Sequence, residues 1–171
     1  DMSNRFFNRN LAGGALLDIG VYSLSLIRWF FTESADQILS QVKYAPTGVD
    51  EQVGILLTNP SSEMATVTLS LHSKQPKRAT ISFDKAYIEI FEYPRGMQAA
   101  IIYTDNGHKE IIDAGDTNDA LFYEITDMEK AVNSSDPKEI EDLMHCQYTY
   151  DVMKIMSDIR TDWGMKYPEE E

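Results

Sequence analysis

The sequence predicts an α+β fold in which helices pack on one face of a large, mostly antiparallel sheet of about six strands. Three observations support this class. An apolar helical segment comes first, a run of short strands separated by turn-forming residues fills the middle, and two amphipathic helices end the chain. Short connections between consecutive strands favour antiparallel pairing, and helices grouped outside the strand region favour one covered face. At 171 residues, the chain is expected to form a single domain.

The first helix is predicted over residues 14–31 and is apolar nearly all round. Such a helix is buried on more than one side, so one side is expected to pack on the sheet and the other to need a further partner. The polar residues 1–10 before it are predicted to form the end of a strand and a loop. Two apolar stripes follow the helical spacing, one of Leu16, Ile19, Leu26, Ile27 and Phe30 and one of Leu17, Val21, Leu24 and Phe31.

Residues 37–113 carry the strand pattern. The clearest strand covers residues 64–72, where apolar and polar residues alternate with a period of two. Turn-forming sequences such as Asn59-Pro60 and Asn106-Gly107 separate the candidates. The other candidate strands are residues 38–44, 51–57, 78–83, 87–91, 97–103 and 110–113.

Two helices are predicted to end the chain. The first covers residues 118–134, with an apolar stripe of Leu121, Ile125, Met128 and Val132. The second begins at Asp136-Pro137, because aspartate caps helices and proline suits the first helical position. Its apolar spacing continues to about residue 160, so it is predicted as one unbroken helix.

Composition excludes several classes of function. The formal net charge of −13 argues against a surface for nucleic acids or for anionic membranes. The single cysteine, Cys146, cannot form an intrachain disulfide and fits a cytoplasmic protein. The apolar runs are expected to be too short and too interrupted to span a bilayer. The sequence also lacks a Gly-x-Gly-x-x-Gly or Gly-Lys-Ser/Thr nucleotide-binding loop.

Asp18 and Tyr22 are the leading candidates for chemistry. They lie four residues apart, which places them on one face of a helix. A phenol has an ordinary pKa of about 10, so it exchanges protons near neutrality only if a neighbour such as lysine lowers that pKa. A carboxylate neighbour opposes such a change. From spacing alone, a structural polar pair satisfied by backbone or water is the favoured interpretation.

Arg5 and Arg9 are candidates for binding an anionic or hydroxylated ligand, although solvated surface arginines fit the pattern better. No metal site is expected, because none of the histidines stands at ligand spacing from another His, Cys or carboxylate. The neighbours His145 and Cys146 cannot face one another on a helix, which argues against a Cys–His nucleophile.

Residues 12–22, Ala-Gly-Gly-Ala-Leu-Leu-Asp-Ile-Gly-Val-Tyr, resemble the NAD(P)-dependent sugar and diol dehydrogenases typified by glucose–fructose oxidoreductase, inositol dehydrogenase and MocA. The dihydrodiol and xylose dehydrogenase branch is the most similar. Three more stretches support the resemblance: residues 47–51, Tyr123-Glu124 and residues 163–168. Residues 84–87 depart from the family pattern, which often has a glycine there.

The resemblance implies the C-terminal domain, of the glyceraldehyde-3-phosphate dehydrogenase-like type, of a two-domain oxidoreductase. An N-terminal Rossmann domain, absent from this chain, would bind NAD or NADP, and residues 1–171 would form one substrate-binding and oligomerisation domain. Tyr22 would act as acid/base or hold the substrate beside a lysine. That lysine belongs to a Glu-Lys-Pro motif, which this sequence lacks. Asp18 would place the substrate or that lysine.

We therefore expect a small hydroxylated substrate, such as a sugar, polyol or vicinal diol, contacted by Arg5, Arg9 and Tyr123. The backbone of Gly14 is the expected cofactor contact. The fragment alone is expected to be inactive, and its sheet face to form a homodimer or larger oligomer. Two other interpretations stay open: a non-catalytic binding or assembly module that keeps the fold, and a free-standing small domain.

Overall fold

The computed structural model describes residues 2–170 and confirms the α+β class with antiparallel strands. Helices α1 to α4 are Val21–Phe30, Ala120–Asn133, Pro137–Met144 and Cys146–Asp162. Strands β1 to β7 are Gln37–Tyr44, Asp50–Thr58, Met64–Ser70, Arg78–Ser82, Ala86–Phe91, Gln98–Tyr103 and Lys109–Asp113. A π-helical turn covers Leu16–Gly20, and 3-10 turns cover Arg5–Phe7, Arg9–Leu11, Thr117–Asp119 and Pro168–Glu170.

The chain divides into two compact units. The first contains the residues up to Gln75 and those from Cys146 onward, and its sheet has the order β1-β2-β3. The second is Pro76–His145, and its sheet has the order β4-β5-β6-β7. All neighbouring strands are antiparallel.

The strands thus form two sheets, of three and four strands, instead of the single predicted sheet of about six. The separation follows from local chemistry after β3. The Ser70 hydroxyl accepts hydrogen bonds from the backbone N–H groups of His72 and Ser73, which turns the chain out of the first sheet. Pro76 then lacks the N–H that strand pairing needs.

The core of the first unit lies between its sheet and two helices. Strand β2 is central, and its residues alternate between buried and half-buried positions. The period of two predicted for β3 is confirmed, because Val67 and Leu69 are buried while Thr66 and Thr68 are exposed. The buried apolar side chains are Ala15, Leu16, Leu24, Phe31, Val53, Ile55, Leu57, Val67, Leu69, Val152, Ile155, Met156 and Ile159.

The predicted first helix begins as a π-helical turn that continues into α1. A π turn uses i→i+5 bonds, so it adds one residue and shifts later positions by about 100° relative to a continuous α-helix. As a result, Leu16 from one predicted stripe and Leu24 from the other lie in the same core. Tyr22 and Trp29 are exposed.

Two predictions from the sequence are wrong: the end of a strand in residues 1–10 and the unbroken last helix. The residues before the first helix contain 3-10 turns, capped by the side chains of Asn4 and Asn8, and the described part of 1–10 contains no strand. The last helix is broken at His145, which adopts the left-handed conformation with φ 47° and donates its N–H to Glu141 O. Histidine tolerates that conformation better than most residues, and the apolar spacing continues across the break.

By length and composition alone, the helical segment Arg9–Phe30 is long and apolar enough to cross a membrane. The expectation that every apolar run is too short is therefore wrong by that criterion. Core helices of soluble proteins and signal sequences satisfy the same criterion. This segment also carries Arg28, which forms an ion pair with Asp151 inside the first unit.

A buried ion pair joins α1 to α4. Arg28 Nε donates to Asp151 Oδ2 at 2.6 Å, and both side chains are 10% exposed. The guanidinium also donates to Phe31 O at 3.1 Å and lies 4.1 Å from the centre of the Tyr148 ring. Gln147 donates to the second carboxylate oxygen. Each charge in the pair is therefore matched by further polar contacts, as burial requires.

We predict that Asp151→Ala lowers the free energy of unfolding by about 3–5 kcal/mol, because it leaves the Arg28 cation buried without its partner. Urea denaturation of the protein measures this change. The matched control is Asp158→Ala, which removes the same side chain from the same helix but breaks an exposed pair with Lys154. We expect little change in the control, since exposed pairs contribute little. Equal effects at both positions would contradict the importance of burial.

Candidate functional site

The Gly13-Gly14 turn leads into the helix that carries Asp18 and Tyr22. Gly13 N donates to Asn8 O at 3.0 Å, and Gly14 N donates to Phe6 O at 2.9 Å. A Cβ atom on Gly13 would lie 2.7 Å from backbone oxygens of the preceding 3-10 turn. Gly14 has φ +132°, which residues with a Cβ rarely adopt. Both glycines are therefore required by the geometry of the turn.

The carboxylate of Asp50, at the start of β2, lies against this turn. A Cβ on Gly14 would come within 2.0 Å of Asp50 Oδ1, so the missing side chain leaves room for the carboxylate. Asp50 Oδ2 accepts a hydrogen bond from Leu16 N at 2.6 Å, and the backbone N–H groups of Ala15 and Asp50 also donate to the carboxylate. The glycine thus makes room for an acceptor at the start of the helix.

Burial raises the pKa of Asp50 to about 6, and hydrogen bonds from the backbone oppose that rise. The Arg160 guanidinium also acts to lower the pKa, through its charge. Burial is the larger effect because Asp50 is 1% exposed. The carboxyl group therefore changes its protonation state much closer to neutrality than an ordinary aspartate.

Tyr167 also contacts the Gly-Gly turn, at the carbonyl of Gly13. Its hydroxyl donates to Gly13 O at 2.8 Å, and burial raises its pKa to about 12. The Arg160 guanidinium lies 4.5 Å from the centre of the Tyr167 ring and is ion-paired with Glu170. Glu170 also accepts a hydrogen bond from Tyr167 N. The end of the chain thus fixes the turn from a second direction.

Asp18 lies in the π turn and is paired with Arg5. The distance from Arg5 Nη2 to Asp18 Oδ1 is 3.0 Å, and the Asp18 side chain is 23% exposed. Arg5 is mostly exposed and its guanidinium lies 4.2 Å from the centre of the Phe6 ring. Two of the residues predicted for the site, Asp18 and Arg5, are therefore in direct contact, at a place that solvent reaches.

Tyr22 follows at the start of α1 and is half exposed. Solvent therefore reaches both Asp18 and Tyr22, four residues apart in one helical segment. The catalytic roles of both residues stay predictions. π-helical turns frequently occur at functional sites, and this turn ends at Gly20, two residues before Tyr22.

The other predicted contacts take different positions. Arg9 donates from Nε and Nη2 to Lys166 O, at 3.0 and 2.6 Å, which connects the N-terminal turns to the C-terminal segment. The Gly14 N–H donates to Phe6 O at 2.9 Å, and the Gly14 carbonyl accepts from Asp18 N at 3.4 Å. The ligand-binding roles of Arg9 and Gly14 stay predictions.

Tyr123 belongs to the second unit, Pro76–His145. Its hydroxyl accepts a hydrogen bond from Asp116 N at 3.1 Å. It lines a shallow cavity of about 220 Å³, together with residues 94–97 and 114–117 and Ala120. Its role as a substrate contact stays a prediction.

The residues from 2 to 170 contain no group of three or more His, Cys, Asp or Glu side chains placed to hold a metal ion. His72 Nδ1 lies 3.9 Å from Glu51 Oε2, and that carboxylate also accepts from Lys43 Nζ. The hydrogen bond from Lys43 lowers the pKa of Glu51.

Sequence reasoning assigned no site role to Asp50 or Tyr167. Both stood in stretches that carry the family resemblance, residues 47–51 and 163–168, yet their contacts with the turn span 34 and 154 residues of sequence. One signal was available: an acid directly after an apolar residue at the start of a buried strand needs a partner inside the protein.

The chain is similar to known dehydrogenases. Mouse trans-1,2-dihydrobenzene-1,2-diol dehydrogenase is 34% identical over 82 residues, which cover 47% of this chain and 25% of the relative. D-xylose 1-dehydrogenase (NADP(+)) of Hypocrea jecorina is 27% identical over 196 residues, which cover 98% of this chain and 48% of the relative. The chain thus spans about a quarter to a half of the length of these relatives.

Solved structures share the fold. A 3-ketoreductase from Actinomadura kijaniata, in complex with NADP and TDP-benzene, superposes with a TM-score of 0.68 at 18% identity, over 92% of this chain and 48% of its own. Aldose-aldose oxidoreductase from Caulobacter crescentus, complexed with glycerol, gives a TM-score of 0.63 at 21% identity, over 90% and 50%.

A family model matches as well. The model for the GFO/IDH/MocA C-terminal domain covers residues 1–89, which include the Gly-Gly turn, the Asp18–Tyr22 segment and the strand that begins at Asp50. The resemblance noted in the sequence is therefore confirmed, and the chain belongs to the GFO/IDH/MocA C-terminal domain family.

Proposed function

We propose that this chain is the substrate-binding part of an NAD(P)-dependent oxidoreductase that acts on secondary alcohols of sugars, polyols or vicinal diols, or on the matching carbonyls. The observation that carries the proposal is the solvent-accessible pair of Asp18 and Tyr22 on a helical segment fixed by the Gly-Gly turn. Membership of a family of oxidoreductase domains supports the reaction class.

The chain's own residues fit only part of a cofactor site. The sequence lacks a dinucleotide-binding loop, and the Gly14 N–H is already bonded. An N-terminal Rossmann domain is therefore assigned most of the binding of NAD or NADP. When bound, the cofactor would supply the acceptor for the hydride of the alcohol carbon, or the donor of that hydride to the matching carbonyl.

In this proposal, Tyr22 handles the proton. During oxidation, its phenolate takes the proton of the substrate hydroxyl as the hydride leaves the same carbon, and during reduction its hydroxyl returns the proton. A lysine from the other domain is proposed to assist this proton transfer. Asp18 holds a substrate hydroxyl or that lysine, and the Arg5 guanidinium at 3.0 Å orients its carboxylate.

Further contacts would orient the substrate for hydride transfer, which lowers the entropic part of the barrier. Arg5 and Arg9, which precede the turn in sequence, are proposed as substrate contacts. Tyr123, considered within the second unit by itself, is proposed as a substrate contact as well. The substrate is expected to be small and rich in hydroxyl groups, which suits these donors and acceptors.

The exposed side of the first helix, with Tyr22 and Trp29, is proposed to pack against the Rossmann domain. The outer face of β3, where Thr66 and Thr68 are exposed, is proposed to pair with a second subunit in a homodimer or larger oligomer. The protein is proposed to act in the cytoplasm.

We predict that Tyr22→Phe in the full-length protein, with both domains, lowers kcat for oxidation of a sugar or diol by about 100- to 10,000-fold, the usual contribution of general acid–base catalysis. Fold and cofactor binding should persist, because the hydroxyl lies on a half-exposed ring. Steady-state kinetics of nicotinamide reduction measure the change.

The matched control is Tyr150→Phe, which removes the hydroxyl of an exposed tyrosine in the same unit. It should leave kcat unchanged. Full turnover by the Tyr22 variant would sink the acid/base role. Binding of cofactor without any turnover, even by the unmodified protein, would favour a non-catalytic module.

We also predict that the 171-residue chain alone reduces neither NAD nor NADP with a sugar, polyol or diol, because the lysine and the cofactor-binding loop are missing from it. The absorbance of the reduced nicotinamide measures this. Catalysis by the isolated chain would show that the proposed division of the active site is wrong.

A further inference from the structure

We propose that Asp50 is a positioning residue for this reaction: its buried carboxylate fixes the first turn of the helix that carries Asp18 and Tyr22. The inference rests on the proposed function for its catalytic part, while its structural part can be tested without any activity.

The first turn of a helix has N–H groups without partners inside the helix. An adjacent Ser, Thr, Asp or Asn usually supplies the acceptor. Here the residues before the π turn are Gly14 and Ala15, whose side chains cannot accept, and no side chain at the cap position does so. Ala15 and Leu16 are fully buried, so water cannot replace the acceptor.

Asp50 supplies that acceptor from a strand. Its carboxylate takes the N–H groups of Ala15 and Leu16, with Leu16 N at 2.6 Å from Oδ2. The strand pairs with β1 and β3, and Asp50 is its first residue, opposite Tyr44 of β1. Asp18 follows only two residues after Leu16, so a shift of this turn would move Asp18 and the start of α1.

The surroundings hold Asp50 in place and set its charge. Gly14 leaves the space that the carboxylate fills. The charge of Arg160 acts to lower the pKa of Asp50. The charge of Asp50 in turn acts to raise the pKa of Tyr44 and of Tyr167. Tyr167 fixes the neighbouring carbonyl of Gly13, so two side chains hold the turn at adjacent peptide groups.

If Asp50 served folding stability alone, its charged form would be expected to stabilise the protein near neutral pH, whereas a positioning role does not require this. The folded-state pKa of about 6 lies above the ordinary 3.8, so the folded protein holds this proton more tightly than the unfolded chain. The stability contributed by this group is therefore complete below pH 3.8 and is lost as the pH rises through about 6. Near neutrality the buried anion therefore costs stability.

The test is Asp50→Asn in the full-length protein. The amide keeps one acceptor oxygen and removes the buried charge, so we expect the melting temperature at neutral pH to stay the same or rise. The kcat should nevertheless fall about 10- to 100-fold, because a displacement of about 1 Å costs that much in catalysis. Affinity for NAD or NADP, which the other domain binds, should not change.

Asp158→Asn, the same substitution at an exposed position of the same unit, is the matched control and should change nothing. Full kcat in Asp50→Asn would overturn the proposal. A loss of kcat that only follows a loss of folded protein would also overturn it.

A second measurement needs neither a variant nor catalysis. In the unmodified protein, the amide proton resonance of Leu16 should titrate with the carboxyl group, at an apparent pKa near 6. An amide resonance that stays constant through that range would overturn the structural part of the proposal. A normal titration together with an inactive parent protein would instead point to failure of the proposed function.

Discussion

A carboxylate buried among backbone N–H groups holds the start of the first helix. Asp50 reaches Ala15 and Leu16 from a strand that begins 34 residues further along the chain. Burial disfavours its charge, whereas the donors and the positive end of the helix favour it. Without the carboxylate, two buried N–H groups would lose their acceptor, and each such loss costs about 1–3 kcal/mol. The placement of Asp18 and Tyr22 depends on this contact.

The local parts of the fold could be predicted from the sequence, and the long-range parts could not. All seven candidate strands occur, because a period-two pattern is a local signal. The first sheet ends at a turn closed by hydrogen bonds to the Ser70 side chain, which no strand pattern reveals. The break at His145 is a left-handed backbone conformation that the apolar spacing does not reveal. The π turn has no signal of its own.

The candidate site could likewise be predicted only in part from the sequence. Spacing identified Asp18 and Tyr22, and the resemblance proposed their roles, but neither identified Asp50 or Tyr167 as the residues that hold the turn. Their partners are backbone atoms far away in sequence, so no short motif marks them. Asp18 contacts Arg5, which spacing had left as either a ligand contact or a surface arginine. The tertiary structure supplied that pairing.

The role proposed for this chain is to supply the proton-transfer half of an oxidoreductase site. Its most direct test is turnover by the full-length protein with a panel of sugars, polyols and vicinal diols, supplied with NAD or NADP and followed by nicotinamide absorbance. We expect reduction of at least one cofactor with at least one of these substrates. A protein that binds the cofactor but oxidises none of the substrates, and reduces none of the matching carbonyls, would contradict the account.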